Sequence, residues 1–344
     1  MKLTSVVIMF LSFILVNISM STSAALSASA SHPWDVNGDG VVDSADLALV
    51  GEHFGETQTT TADVNKDGLV DVFDVVLVAI YFGEKYDLEG DFTGQDGAPM
   101  VVIPAGDFLM GDALNEGVDD EIPVHTVYVE EFYMDIYEVN NSRYSDFLNE
   151  YGKNTDAAGN ELLDISSPYC LIEKAGSIYR PKAGYEDHPV VGVSWYGAAT
   201  YAEFYDKLLP TEAQWEKAAR GGLSGKRYPW GDRISHNDAN YDGTGGRDTW
   251  RETSPAGSFK VNGYDLHDMV GNVWEWCADW YDNEYYRVSP RRNPAGPGSG
   301  RFRVLRGGSW DDDPDFLRVA ARGGDSPSYA DSVVGFRCIV PKNQ

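Results

Sequence analysis

Sulfur and positive charge are what this sequence has least of. Its 344 residues hold three cysteines, Cys170, Cys277 and Cys338, and no CxxC pair. That excludes a thiolate zinc site and a CxxC redox couple. An odd count allows one disulfide and one free thiol, and spacing does not reveal the pair. No cysteine lies between Ser309 and Cys338, nor near the N-terminal apolar run, which disfavours a lipoprotein. The six histidines form no HxxxH or HxH pair, the spacings that bring two imidazoles to one metal. Lys and Arg total 27 against 54 Asp and Glu, a net charge of −27. Such a field repels phosphate, so nucleic acid is excluded as a partner.

An apolar run long enough to cross a bilayer is also missing. Residues 6–18 are apolar but for Ser12 and Asn17, and they follow a positive start at Lys2. This predicts a signal peptide over residues 1–30, cleaved somewhere in 23–30. The expected product is secreted, with no membrane span after cleavage.

What is there suffices for two folded parts. Hydrophobic residues make up 42% and aromatics 12%, enough for a substantial core. The segment DVNGDGVVDSAD, starting at Asp35, returns as DVNKDGLVDVFD, starting at Asp63. The match continues through Leu47 with Val75, Val50 with Val78, and Phe54-Gly55-Glu56 with Phe82-Gly83-Glu84. The apolar spacing i, i+3, i+7 predicts one face of a short helix after each loop, with Gly55 and Gly83 as stops.

Each loop presents oxygen at the positions that wrap one calcium ion. In the first these are Asp35, Asn37, Asp39, the Val41 carbonyl, Asp43 and Asp46. In the second they are Asp63, Asn65, Asp67, the Leu69 carbonyl, Asp71 and Asp74. Gly40 and Gly68 sit where the chain must turn sharply. Position twelve is Asp, shorter than the usual Glu, so the helix must approach the ion more closely. Tandem loop-then-helix repeats of this kind, with no helix before the first loop, resemble a type I dockerin. The resemblance implies a calcium-dependent fold over residues 31–86 and a cohesin-like partner. It implies partner contact through Ser44, Ala45, Val72 and Phe73. The last two are apolar and depart from the family pattern; Phe73 either packs on its own module or faces the partner.

Residues 87–98 are rich in Gly, Asp and polar side chains and read as a linker. From Pro99 short apolar runs alternate with Gly, Pro and Asp turns. Only 140–151 and 194–220, broken at Pro210, have helical texture. The fold class is α+β with much irregular chain. Thr211 is placed as a helix N-cap.

VVIPAGDFLMG, HPVVGVSWYGAATYAEF, LPTEAQWEKAARGG, YPWGD, DMVGNVWEWCADW, VLRGGSW, VAARGG and VGFRCIV follow in that order. In this order they resemble the formylglycine-generating enzyme, or sulfatase-modifying factor, superfamily over residues 99–342. That implies one compact α+β domain, distantly like C-type lectins, with two structural calcium sites. One would use Asp268, the backbone of Gly271 and Val273, and Glu275. The other would use Asn240, the backbone of Tyr241, Asp248 and the backbone of Trp250.

Family members that oxidise cysteine hold copper(I) on two thiols just after the GGS motif, as soft ligands suit that ion. Here Gly307-Gly308-Ser309 is followed by Trp310-Asp311-Asp312-Asp313-Pro314-Asp315. The expectation leans away from an enzyme. It favours a secreted calcium-binding protein whose larger domain is a binding module for a glycan or peptide. Arg306, Ser309, Trp310 and Arg322 are the expected cleft residues. The alternative is a secreted oxidoreductase or modifying enzyme with a rewired site.

Overall fold

The computed structural model describes residues 34, 36, 42, 44–57, 62–65, 69–82 and 92–342. The expected signal peptide lies outside them. Among the described residues, no helix is long and apolar enough to cross a membrane.

The repeats fold as the spacing predicts. Helix α1 is Ser44–Glu52 and α2 is Val72–Ile80. Val50 and Val78, equivalent in the repeat, are both buried, together with Val36, Val42, Ala62, Val64 and Val70. Neither half could form this core alone. Crossed backbone bonds tie the halves together: Gly55 N donates to Val70 O at 2.8 Å and Val70 N to Glu56 O at 3.0 Å. Trp34 stacks on Tyr81 with ring centroids 3.7 Å apart. The third position of the predicted face departs from expectation. Phe54 and Phe82 are exposed, because the helical turns end before reaching them.

The larger domain is built on two four-stranded sheets. In the first, β1 (Phe92–Thr93), β2 (Pro99–Ile103), β5 (Phe132–Asp135) and β12 (Ile339–Pro341) pair antiparallel in that order. In the second the order is β10 (Arg322–Asp325), β9 (Arg303–Arg306), β8 (Trp274–Trp280) and β11 (Val334–Gly335), with β11 parallel to β8. Hairpins β3–β4 (Gly106–Met110, His125–Val129) and β6–β7 (Ile172–Ala175, Ile178–Pro181) complete the strands.

Three helices pack on this framework, each started by a residue whose short side chain caps a free N–H. Asn140 caps α3 (Asn141–Tyr151), Ser194 caps α4 (Trp195–Phe204) and Thr211 caps α5 (Glu212–Arg220). Thr211 and Gln214 form a reciprocal capping box. The break between α4 and α5 covers 205–211, wider than Pro210 alone.

The linker expectation needs correcting at its C-terminal end. Strand β1 pairs with β2, and the Asp96 carboxylate is buried. It accepts from Lys207 Nζ and Tyr201 Oη, both at 2.7 Å. Lys207 also reaches Asp135 at 2.7 Å. A polar residue in a Gly-rich stretch is therefore a structural anchor. All three cysteines are buried and free, so the disulfide that the count allows is not formed.

Candidate functional site

In the second of the expected calcium loops the described residues converge on one carboxylate. Asp74 is fully buried, and accepts from the backbone N–H of Asn65 at 3.0 Å and of Asp71 at 2.8 Å. Asp71 caps α2 through the Phe73 N–H at 2.7 Å. A buried aspartate drawn across its own loop holds the loop closed, as a position-twelve ligand must. Asp46, its equivalent in the first loop, is equally buried, and Asp63 nearly so. Asp35, Asn37, Asp39, Val41, Asp43 and Asp67 lie outside the described residues. Val72 and Phe73 are 55% and 63% exposed, so Phe73 does not pack on its own module. Ser44 and Ala45 open α1.

In the larger domain the two expected calcium segments pack against each other. Asn272 N donates to Asn240 O at 2.9 Å, and Gly271 N donates to Gly307 O at 3.0 Å. The turn needs left-handed backbone at Asp268, Gly271 and Asn272, with φ of 52°, 80° and 60°. A Cβ at Gly271 would overlap the Asn240 carbonyl oxygen. Gly271→Ala is expected to cost about 2 kcal/mol or more through strain and overlap. Its urea midpoint checks this, and an unchanged midpoint would show the turn to be dispensable.

Asp268 and Glu275 are buried acids, not surface ones. Asp268 accepts from Gly257 N at 2.6 Å. Burial lifts its pKa to about 6 against the pull of that N–H and of Arg337. Glu275 accepts from Arg337 at 2.7–2.9 Å and from Trp215 Nε1 at 2.8 Å. A third acid, Glu138, was missed by the sequence reading. It is buried, its carboxyl pushed up by burial and by Asp268 and Glu275. One oxygen accepts from Asn272 Nδ2 at 2.7 Å, while the other has no partner.

The neighbouring segment has a second orphan. Asn240 Oδ1 is buried without a partner, although its amide nitrogen donates to Glu252 O at 2.8 Å. Fully buried Asp248 accepts from the Tyr241 N–H at 3.4 Å, the Trp250 N–H at 3.3 Å and His236 at 3.1 Å. Orphaned hard oxygens in a buried polar pocket fit a calcium ion. The fit is better around Asn240 than around Glu275, whose oxygens already face Arg337. Among the described residues no group of three or more His, Cys, Asp or Glu side chains could hold a metal.

The expected cleft residues separate. Arg306 is fully buried, donating to Glu216 and to the carbonyls of Val319, Ala320 and Ala321. Arg322 forms a two-pronged pair with Glu212, both arms at 2.7 Å. Ser309 is buried too. These three are buried and brace the interior rather than lining a cleft, with both guanidiniums turned to acids and carbonyls inside the fold. Trp310 stays half-buried, its Nε1 on Ser332 O at 3.1 Å. The loop after Ser309 is organised by Asp312. One of its oxygens accepts from Ser309 N at 2.9 Å, Ser309 Oγ at 2.5 Å and Trp274 Nε1 at 2.8 Å. No thiol shares this loop; burial pushes the Cys277 and Cys338 thiols well above their usual range.

A loop–helix repeat module ahead of a mixed helix-and-sheet domain is thus the class of protein the geometry defines. Residues 33–83 match the dockerin type I domain, and residues 87–342 match the sulfatase-modifying factor enzyme 1-like domain. The chain belongs to the sulfatase-modifying factor family and carries a dockerin domain in front of it. The formylglycine-generating enzyme of Streptomyces coelicolor is 38% identical over 286 residues, covering 70% of this chain and 88% of the relative. A mouse relative, "Inactive C-alpha-formylglycine-generating enzyme 2", is 36% identical over 277 residues, covering 70% and 84%. The serine/threonine-protein kinase pkn1 of Chlamydia caviae is 41% identical over 241 residues, covering 70% of this chain. The chain spans 37% of that kinase's length. PvdO from Pseudomonas aeruginosa shares the fold with a TM-score of 0.60 at 28% identity, covering 73% of this chain and 97% of PvdO. Treponema denticola variable protein 1 shares it at 0.55 and 23% identity, covering 70% and 94%.

Proposed function

We propose that this is a secreted, calcium-binding docking protein. Its dockerin domain, over residues 31–86, attaches to a cohesin-like partner when calcium is bound. Its larger domain acts as a binding module for a glycan or peptide rather than as a copper oxidase, and retains a distant likeness to C-type lectins. Dockerin modules occur in extracellular proteins, which fits the expected signal peptide.

The observation that carries the non-enzymatic part is Asp312. A carboxylate locked to Ser309 and Trp274 stands in the loop where a copper oxidase needs thiolates. A hard oxygen donor suits copper(I) poorly. The docking part is supported by the buried position-twelve aspartates, Asp46 and Asp74, and by the exposed pair Val72-Phe73. Calcium would be held by the two loops and, in the larger domain, by the segments around Asn240–Asp248 and Asp268–Glu275. The formylglycine-generating relatives favour a second reading, a modifying enzyme with a rewired site.

One preparation decides between them. The purified protein is expected to contain calcium and no stoichiometric copper or iron. It should be retained by a cohesin-bearing resin in calcium and released by EGTA. Copper at one per chain, with oxygen-dependent conversion of a peptide cysteine to formylglycine, would overturn the binding-module reading. Retention indifferent to EGTA would overturn the docking one.

A further inference from the structure

The last turn of α5 runs beside hairpin β3–β4 and leaves a cavity of about 360 Å3 between them. It shares no lining residue with the loop after Ser309. Its walls are apolar at Phe108, Leu109 and Leu223, polar at Thr126 and Tyr264, and charged at Asp107 and Arg220, each of which is already paired, with Arg291 and Glu216. Lys217 also lines it, although only 4% of this residue is exposed.

Lys217 is short of partners. Its Nζ donates to the Gly106 carbonyl at 3.0 Å. An ammonium has three donors, so two remain unused. The charge acting on it is that of Asp107, which is exposed and already paired with Arg291 at 2.9 Å. Burial accordingly pulls the lysine below its ordinary pKa, the behaviour of a cation lacking a counter-charge. The other buried cations near the framework are matched: Arg220 with Glu216, Arg306 with Glu216, Arg322 with Glu212, Arg337 with Glu275. The hydroxyl of Tyr264 has no hydrogen-bond partner among the described residues. In a chain of net charge −27, a buried lysine with no carboxylate in ion-pair contact is an exception that calls for one from outside. Apolar walls with a few converging polar groups are what small ligands bind.

We propose that this pocket binds the carboxylate of a ligand bearing an apolar side group. Lys217 is the cationic anchor and the Tyr264 hydroxyl the second donor. Phe108, Leu109 and Leu223 receive the side group. Such a carboxylate belongs either to a peptide C-terminus or to a free apolar acid.

The test uses the full chain, with N-acetyl-leucine, its amide, and a short glycine-serine peptide ending in leucine as free acid or amide. Binding is read by NMR or calorimetry. Each free acid is expected to bind at least tenfold tighter than its amide. Lys217→Met should erase that preference without lowering Tm, since it removes an unmatched buried cation. Ser224→Asp, an exposed change on the cavity wall, should weaken the acids and spare the amides. A peptide acid tighter than N-acetyl-leucine identifies a chain terminus as the ligand; equal affinities identify a free acid. Acid and amide binding alike, a preference surviving in Lys217→Met, or no binding of either acid at 10 mM would overturn the proposal.

Discussion

Replacing Glu216 with glutamine is expected to cost the larger domain about 3–5 kcal/mol. Glu216 is fully buried on α5 and holds two cations. Arg220 donates to Oε1 through Nε and Nη2 at 3.0 and 2.6 Å, and Arg306 donates to Oε2. Gly111 N adds a bond at 2.8 Å. Burial pushes its carboxyl up, but Arg220 and Arg306 hold it below the usual carboxylate range. Glutamine keeps the shape and removes the charge. Two guanidiniums are then left in the interior with Glu212 alone, 3.8 Å from Arg306. The exposed pair Glu173–Arg180 is the control. Its loss should cost under about 1 kcal/mol, because solvent screens both ends. Urea unfolding of the two variants side by side checks the contrast. Equal midpoints would mean that the buried network is not what holds α5 to the second sheet.

The second large effect is on pH. Asp279 closes β8 and accepts from Glu212 N at 2.9 Å. Burial, then the negative charge of Glu212, lifts its pKa from 3.8 to about 8, against Arg322 and Arg303. The folded state therefore keeps a proton that the unfolded chain gives up. This contribution is complete below pH about 3.8, declines as pH rises, and is lost above about 8. At 1.36 kcal/mol per pH unit the span approaches an upper limit of about 6 kcal/mol. Unfolding free energies from pH 4 to 9 should fall more steeply for the native chain than for Asp279→Asn. Parallel curves would sink the assignment.

The parts of the structure that were legible are those written in local spacing. Both loop-and-helix repeats could be seen because ligand order, glycine and helix face recur together. The cap at Thr211 follows from short-range chemistry, and the helical stretches that open at Asn140 and Ser194 from local texture. What stayed hidden depends on partners far along the chain. Glu216 and Arg220, four apart on a helix, look like a solvent pair; Arg306, arriving from β9, makes them interior. Glu138 is one acid in an apolar stretch, and only the Asn272 turn shows why it is tolerated. Asp96 looked like linker because Lys207, its partner, lies more than a hundred residues on. Arg306, Ser309 and Arg322 were placed in a cleft by motif position. Their burial could not be read from a motif that marks the bend and not the direction its side chains take.

The closing strand has a consequence for how the chain folds. β12 zips against β5, and Cys338 N donates to Asp135 across 203 positions. Arg337, from the same segment, reaches the Ile136 carbonyl. The first sheet therefore cannot be completed until nearly the whole domain has been synthesised. Contacts so remote in sequence carry a large loop-closure cost and make for slow folding. Until that strand docks, the β5 edge remains open to pairing with other chains. A chain that leaves the cell before folding would meet this bottleneck on the far side of the membrane. The local loop–helix module is under no such delay, and its helices can form while the larger domain still awaits its last strand.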